Sequence, residues 1–120
     1  MNKILSPNIY RQRLLIEANY TLNTTEKEVN EFLISVCNEL GVTRATEKPF
    51  VNCTYGTGKP ENQGFEAFQP LIESGISIYT WDNDKFLSIL FFTCKPFDAN
   101  TAINFSNSFF GFTDYTFKEF

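Results

Sequence analysis

The chain has 120 residues, enough for one hydrophobic core and consistent with one domain spanning 1–120. Ten Lys and Arg against 14 Asp and Glu give a net charge of −4 with no basic run, which argues against nucleic acid as a partner because phosphate binding needs a cationic face. No histidine is present, so imidazole-based metal sites and Ser-His or Cys-His nucleophile pairs are excluded, and no metal ligand set is expected.

The apolar segment before Pro7 is two residues long, too short for a signal-peptide core, and no stretch approaches the roughly 20 apolar residues of a membrane span. A cytoplasmic protein is expected. Cys37, Cys53 and Cys94 are odd in number and lack CxxC spacing, which fits reduced thiols better than a disulfide framework.

After an irregular lead-in over residues 1–9, the alternation of Leu14, Ile16, Ala18 and Tyr20 predicts a strand with one buried face over Arg11–Tyr20. Thr25 and Glu28 have capping-box spacing. Val29, Phe32, Leu33, Val36, Cys37 and Leu40 then form one helical stripe, closed by Gly41 as C-cap. Cys37 is read as a small core residue within that stripe. A weaker strand signal over Val42–Thr54 is broken by Glu47-Lys48-Pro49.

Residues 55–64 read as a flexible loop at a hairpin tip. Gly56-Thr57-Gly58-Lys59 lacks the spacing of a phosphate-binding loop. The segment 65–72 carries Pro70, so either the strand starts after the proline or Pro70 marks an edge position or a bulge. Ile76–Trp81, a turn at Asp82-Asn83-Asp84 and Phe86–Cys94 predict the central hairpin. Asp98 is a good N-cap, and Ala102, Ile103, Phe105, Ser106, Phe109 and Phe110 give a second amphipathic stripe ending at Gly111. Phe112–Phe120 is the final predicted strand.

This order favours an α+β fold, a two-layer α/β sandwich in which an antiparallel sheet carries two helices on one face. Aromatics are 17% of the chain, with 14 Phe, and suit a bulky buried face or an aromatic pocket. Large apolar residues fall on both faces of the central hairpin, so pairing of the bare face with a second copy is expected.

The segment Glu73-Ser74-Gly75-Ile76-Ser77-Ile78-Tyr79-Thr80-Trp81, with Phe92-Thr93-Cys94 following and 20 residues separating Ser74 from Cys94, resembles the bacterial-type S-adenosylmethionine decarboxylases, small pyruvoyl enzymes of polyamine (spermidine) synthesis. The family motif there reads ESHxSIHTWPE and then FTC. Gly64 matches a glycine ten places before the serine.

The resemblance implies that Ser74 is the precursor of a pyruvoyl cofactor, formed by cleavage of the Glu73-Ser74 bond, and that the pyruvoyl carbonyl serves as electron sink when carbon dioxide leaves. It implies Cys94 as proton donor and a homodimer or partner decarboxylase as the assembly. Position 79 assists self-cleavage and lies against the adenine in the family. Glu66, Tyr55, Ser77 and Trp81 complete the substrate-binding set, with Tyr55 standing in for a missing aromatic if the loop is an insertion.

The motif histidines, however, are Gly75 and Tyr79 here, the processing serine is Glu66, and Pro-Glu after the tryptophan is Asp82-Asn83. A phenol is a poor base at neutral pH, so self-cleavage is expected to be impaired. Three functions follow. The first is a non-catalytic or regulatory homologue that binds S-adenosylmethionine or a related nucleoside or amino acid. The second is an active pyruvoyl-dependent carboxy-lyase. The third is the same fold with changed chemistry and Glu66 or Glu73 as base.

Overall fold

The computed structural model describes residues 3–56 and 58–120. Met1 and Asn2, which begin the lead-in, and Thr57 of the glycine loop lie outside the described residues. The elements run β1 (Gln12–Tyr20), α1 (Glu26–Leu40), β2 (Phe50–Cys53), β3 (Gly64–Leu71), β4 (Ser74–Trp81), β5 (Phe86–Thr93), α2 (Ala99–Phe110) and β6 (Phe112–Glu119). All six strands join one antiparallel sheet in the order β2-β3-β4-β5-β1-β6. The β4–β5 hairpin is therefore central, as its run of β-branched and aromatic residues predicts.

Both helices cover the same face. Leu14, Ile16 and Ala18 of β1 lie opposite Phe91, Ile89 and Leu87 of β5, which in turn lie beside Ile76 and Ile78 of β4. All are buried in one core with Val29, Phe32, Leu33, Val36 and Cys37 of α1 and Ala102, Ile103 and Phe110 of α2. The helix–helix seam absorbs much of the phenylalanine. Phe32 meets Phe109 and Phe110 at ring-centroid distances of 5.4 and 4.8 Å, in the range where aromatic pairs add to burial.

The predicted caps form. The Glu28 carboxylate accepts from the Thr25 N–H at 3.0 Å and from the Thr25 hydroxyl, and the hydroxyl's hydrogen bond above all holds the carboxyl below its ordinary range. The Asp98 carboxylate accepts from the N–H groups of Asn100 and Thr101 at 2.9 and 3.2 Å. Gly41, with φ of 69°, ends α1 in the left-handed conformation.

Two expectations are corrected in detail. The Val42–Thr54 segment gives a strand only over its last part, Phe50–Cys53, because the Lys48-Pro49 break separates it from residues 43–45. Those earlier residues instead lie along the end of β3, with Ala45 N–H donating to the Pro70 carbonyl and Ile72 N–H to the Thr43 carbonyl, both at 2.9 Å.

Pro70 itself sits inside β3 without a bulge. It pairs with Gly75, and its carbonyl, hence also its nitrogen, faces the 43–46 segment rather than β4. It therefore sits at a point beyond the end of β2, where the missing N–H interrupts no strand ladder. The loop over 55–64 also contains a short 3-10 turn, Pro60–Asn62.

The face away from the helices carries Phe50, Glu66, Phe68, Tyr79, Leu90 and Phe92, of which Phe50, Phe68, Tyr79 and Phe92 are exposed.

Candidate functional site

Leu71 pairs with Ser74, which leaves Ile72-Glu73 as a two-residue turn between β3 and β4. Hairpin turns of that length ordinarily place positive φ on their two central residues; here neither Ile72 nor Glu73 has it, and Ser74, the first residue of β4, carries it instead, at 136°. A non-glycine residue there is strained, at a cost of order 1–3 kcal/mol. The strain sits on the residue that follows the Glu73-Ser74 peptide.

The carbonyl of that same peptide accepts a hydrogen bond from the Cys94 N–H at 2.8 Å, because Ser74 pairs with Thr93 and the next step of the ladder sets Cys94 against Glu73. A donor aimed at this oxygen withdraws electron density from the carbonyl carbon and would stabilise negative charge developing on it. The Glu73 carboxylate turns the other way and accepts from the Thr43 N–H at 3.0 Å, which holds its carboxyl below the ordinary range. The Cys94 thiol is exposed.

Ser74, Glu73 and Cys94 are thus gathered at one end of the hairpin as the sequence predicts. Among the described residues, no side chain hydrogen-bonds to the Ser74 hydroxyl.

Gly75 shows why no side chain of its own helps. A Cβ built on it would fall 2.3 and 2.5 Å from Cε1 and Cζ of Phe68. The Phe68 ring has taken the space that a side chain at 75 would fill, so the glycine and the cross-strand aromatic form one packed unit.

Tyr79 lies elsewhere. It is five residues along β4 from Ser74, about 17 Å at the usual rise of a strand, and the pleat turns it to the opposite face. There it stands across from Glu66, whose carboxylate accepts from the Asn52 amide at 3.0 Å. Phe50, Asn52, Glu66, Phe68 and Tyr79 line an open groove of about 360 Å³. Ser77 is half-buried on the same face between Phe68 and Leu90, and Trp81 packs on Phe86 with ring centroids 5.3 Å apart. The nominated residues therefore form two groups at opposite ends of β4.

Tyr55 belongs to neither group. Its hydroxyl donates to Asp82 Oδ2, and the other oxygen of that carboxylate accepts from Tyr20, Thr24 and Thr80 at 3.1, 3.0 and 2.9 Å. Four hydroxyls from four parts of the chain thus converge on one carboxylate. Burial pushes the Tyr20 phenol up to about 12, and the hydrogen bond to Asp82 does the same for Tyr55, also to about 12.

Sequence reading missed this cluster because its members are scattered over residues 20–82 with no common spacing. The one available signal was an aspartate, Asp82, opening the turn two residues after Thr80. Thr80 also accepts from the Phe65 N–H at 2.9 Å, so the cluster locks the β4–β5 turn to β3 and to the residues after β1. Among the described residues no group of three or more Cys, Asp or Glu is placed to hold a metal ion, and no helix is long and apolar enough to cross a membrane.

Comparison with known proteins matches residues 15–120 to the S-adenosylmethionine decarboxylase family. The crystal structure of the adenosylmethionine decarboxylase from Aquifex aeolicus superposes with a TM-score of 0.74 at 14% identity, covering 93% of this chain and 89% of that one. At that identity the likeness speaks for the fold alone, and it agrees with the two-layer sandwich described above. No curated protein sequence matches.

Proposed function

The chain belongs to the S-adenosylmethionine decarboxylase family, and on that premise we propose that it is a ligand-binding homologue, non-catalytic or regulatory, that does not cleave itself at Glu73-Ser74. The observation that carries this reading is the setting of Ser74. Its hydroxyl meets no side-chain base among the described residues, Gly75 is packed under the Phe68 ring, and Tyr79 stands on the other face of the sheet. A serine hydroxyl attacks a peptide only when its proton has somewhere to go.

The ligand is S-adenosylmethionine or a related nucleoside or amino acid. The groove beside Tyr79 suits it: Phe50, Phe68 and Tyr79 offer faces for a planar base, and aromatic faces beside the Glu66 carboxylate favour a sulfonium or ammonium cation.

Two copies pair through the bare face, which carries the exposed Phe50, Phe68, Tyr79 and Phe92. A two-fold axis that sets the two β4 strands antiparallel would lay the Tyr79 end of one copy over the Ser74 end of the other. The protein works in the cytoplasm, as one domain, without nucleic acid or membrane.

Intact-mass measurement after prolonged incubation tests the reading. A single 13.8 kDa species is expected, and two fragments split between Glu73 and Ser74 would overturn it. Titration calorimetry with S-adenosylmethionine and methylthioadenosine tests the groove. Binding that Glu66→Gln and Tyr79→Ala weaken is expected, and absence of heat with both compounds would leave only a structural role.

A second reading, an active pyruvoyl-dependent decarboxylase, is favoured by the strained Ser74 and by the Cys94 N–H on the Glu73 carbonyl. Ser74 would then supply a pyruvoyl group, whose carbonyl draws off electrons as carbon dioxide leaves. The junction has the serine and the polarised carbonyl but no activating base among the described residues, so no step is assigned to it.

A further inference from the structure

We propose that the free edge of β6 is an interface at which two copies of this chain pair antiparallel, centred on Thr116, so that their two sheets join into one. β6 ends the sheet beyond β1 and is eight residues long. Tyr115, Phe117 and the following Phe120 are 44%, 54% and 55% exposed. A long edge strand with exposed aromatics is one that monomeric proteins ordinarily blunt or cover.

The ladder to β1 fixes which backbone groups are free. Phe120 N–H donates to the Arg13 carbonyl, and the pairing runs on through Leu15↔Lys118, Glu17↔Thr116 and Asn19↔Asp114. The N–H and C=O of the even-numbered residues from 114 to 120 therefore point at β1, and those of Tyr115, Phe117 and Glu119 point outward. An added strand must hydrogen-bond to these odd-numbered residues.

Self-pairing of two β6 strands can satisfy them in several registers, and the side chains choose among those. Centred on Thr116, Tyr115 lies opposite Phe117 of the second copy and Asp114 opposite Lys118, each twice by symmetry; Phe112 lies beyond the bulge at the Asn19/Tyr20 step and takes no part. The sequence 114–118 is thus a complementary palindrome, with aromatic facing aromatic and acid facing base. Centred on Tyr115, Asp114 would face Thr116. Centred on Phe117, Asp114 would face Phe120. Neither shifted register pairs opposite charges.

The central register also sets Tyr115 and Phe117 as the hydrogen-bonded pair, which the outward direction of their backbone groups requires, and puts Asp114 and Lys118 in the closer, non-hydrogen-bonded pairing. Asp114 and Lys118 form no ion pair within the chain among the described residues. Lys118 alone would be an edge guard. With Asp114 four residues before it on the same face, it becomes half of a matched set.

This contact differs from pairing through the bare face of the sheet, and the experiment separates them. Association is measured by sedimentation at low salt for the wild type, Asp114→Lys, Lys118→Asp and the double reversal, with amide hydrogen exchange on Tyr115, Phe117 and Glu119. Each single reversal sets like charges opposite each other at both ends of the ladder, and about a tenfold weakening of one association step is expected. The double reversal restores it, and so does mixing the two single variants, whose unlike strands complement each other. The three outward amides gain protection as protein concentration rises, whereas face-to-face pairing leaves them free. The proposal is overturned if all variants associate alike, if the mixture does not recover, or if those amides exchange as a free edge at every concentration.

Discussion

Gly64 and Gly75 both lie in the matched hairpin region, yet they should respond in opposite ways to the same added methyl group. A Cβ at Gly64 would fall 1.9 Å from the Thr80 carbonyl oxygen, 2.7 Å from its carbon and 2.9 Å from Thr80 Oγ1. Two of these are backbone atoms of the neighbouring strand, so no rotamer change relieves the clash, and β3 and β4 must part by more than 1 Å at that point. The separation strikes Thr80, whose hydroxyl oxygen accepts from Phe65 N–H and donates to Asp82. Overpacking costs about 1–3 kcal/mol, and a buried donor left unsatisfied about 1–3 more, so Gly64→Ala is expected to lose roughly 3–5 kcal/mol. At Gly75 the obstructing atoms are the edge of the Phe68 ring, which can swing into solvent. Gly75→Ala should cost about 1 kcal/mol or less, because alanine in a strand recovers part of the loss through backbone entropy. Urea denaturation with unchanged m-values reads both. A Gly64→Ala loss below about 1 kcal/mol, or a larger loss at Gly75, would refute the reasoning.

Other predictions concern titration and reactivity. In alkaline titration followed by tyrosinate absorbance, Tyr20 and Tyr55 should ionise late, near 12, and Tyr20→Phe and Tyr55→Phe should each remove one late step. For Tyr20 the folded value lies above the unfolded one near 10, so its contribution to stability is whole below pH 10 and is lost between pH 10 and about 12. Its size is roughly 2–3 kcal/mol at 1.36 kcal/mol per unit. Wild type and Tyr20→Phe denaturation curves compared across that window test the sign. The lowered Glu73 carboxyl acts in the opposite direction: what it contributes is present above the unfolded pKa and fades as pH falls through the folded one. Glu73→Gln should therefore flatten part of the acid limb of the stability profile. A thiol reagent should modify Cys53 and Cys94 in the native protein while sparing Cys37, which is fully buried and whose thiol is pushed up to about 11 by that burial. Modification of all three thiols at equal rates would contradict the core placement of Cys37.

Legibility in the sequence tracked how locally each feature is determined. The stripe from Val29 to Cys37 with its Thr25 and Gly41 ends, and the stripe from Ala102 to Phe110 behind Asp98, are set by residues within a few turns of one another, and they form where the pattern predicts. The alternation in β1 and the hairpin likewise survives into the fold, since a strand with one buried face cannot slip by a residue without exposing its core set. Pro70 was harder, because whether a proline interrupts a ladder depends on what runs beside it, and the short span of β2 is a tertiary fact. The Asp82 cluster was illegible for the same reason: Tyr20, Thr24 and Tyr55 reach it only after three turns have been built. Ser74, Glu73 and Cys94 were legible as a group because antiparallel pairing around a tight turn brings the start of one strand to the end of the next. Tyr79 was placed with them only through the family motif, and the period-two pleat that makes β4 readable is what separates it from Ser74.

That separation links the site to the assembly. Within one chain, β4 presents a strained serine at one end and an aromatic-carboxylate groove about 17 Å away on the other face, and no turn in this fold can bring them together. A function using both ends therefore needs a second copy, whereas a function using the groove alone does not. Ligand binding measured across protein concentration distinguishes these cases. If affinity for S-adenosylmethionine is independent of concentration and insensitive to Ser74→Ala, the Glu66–Tyr79 groove acts by itself, as the non-processing reading holds. An affinity that rises with association and falls in Ser74→Ala would require both ends in one binding site and would return weight to the pyruvoyl reading.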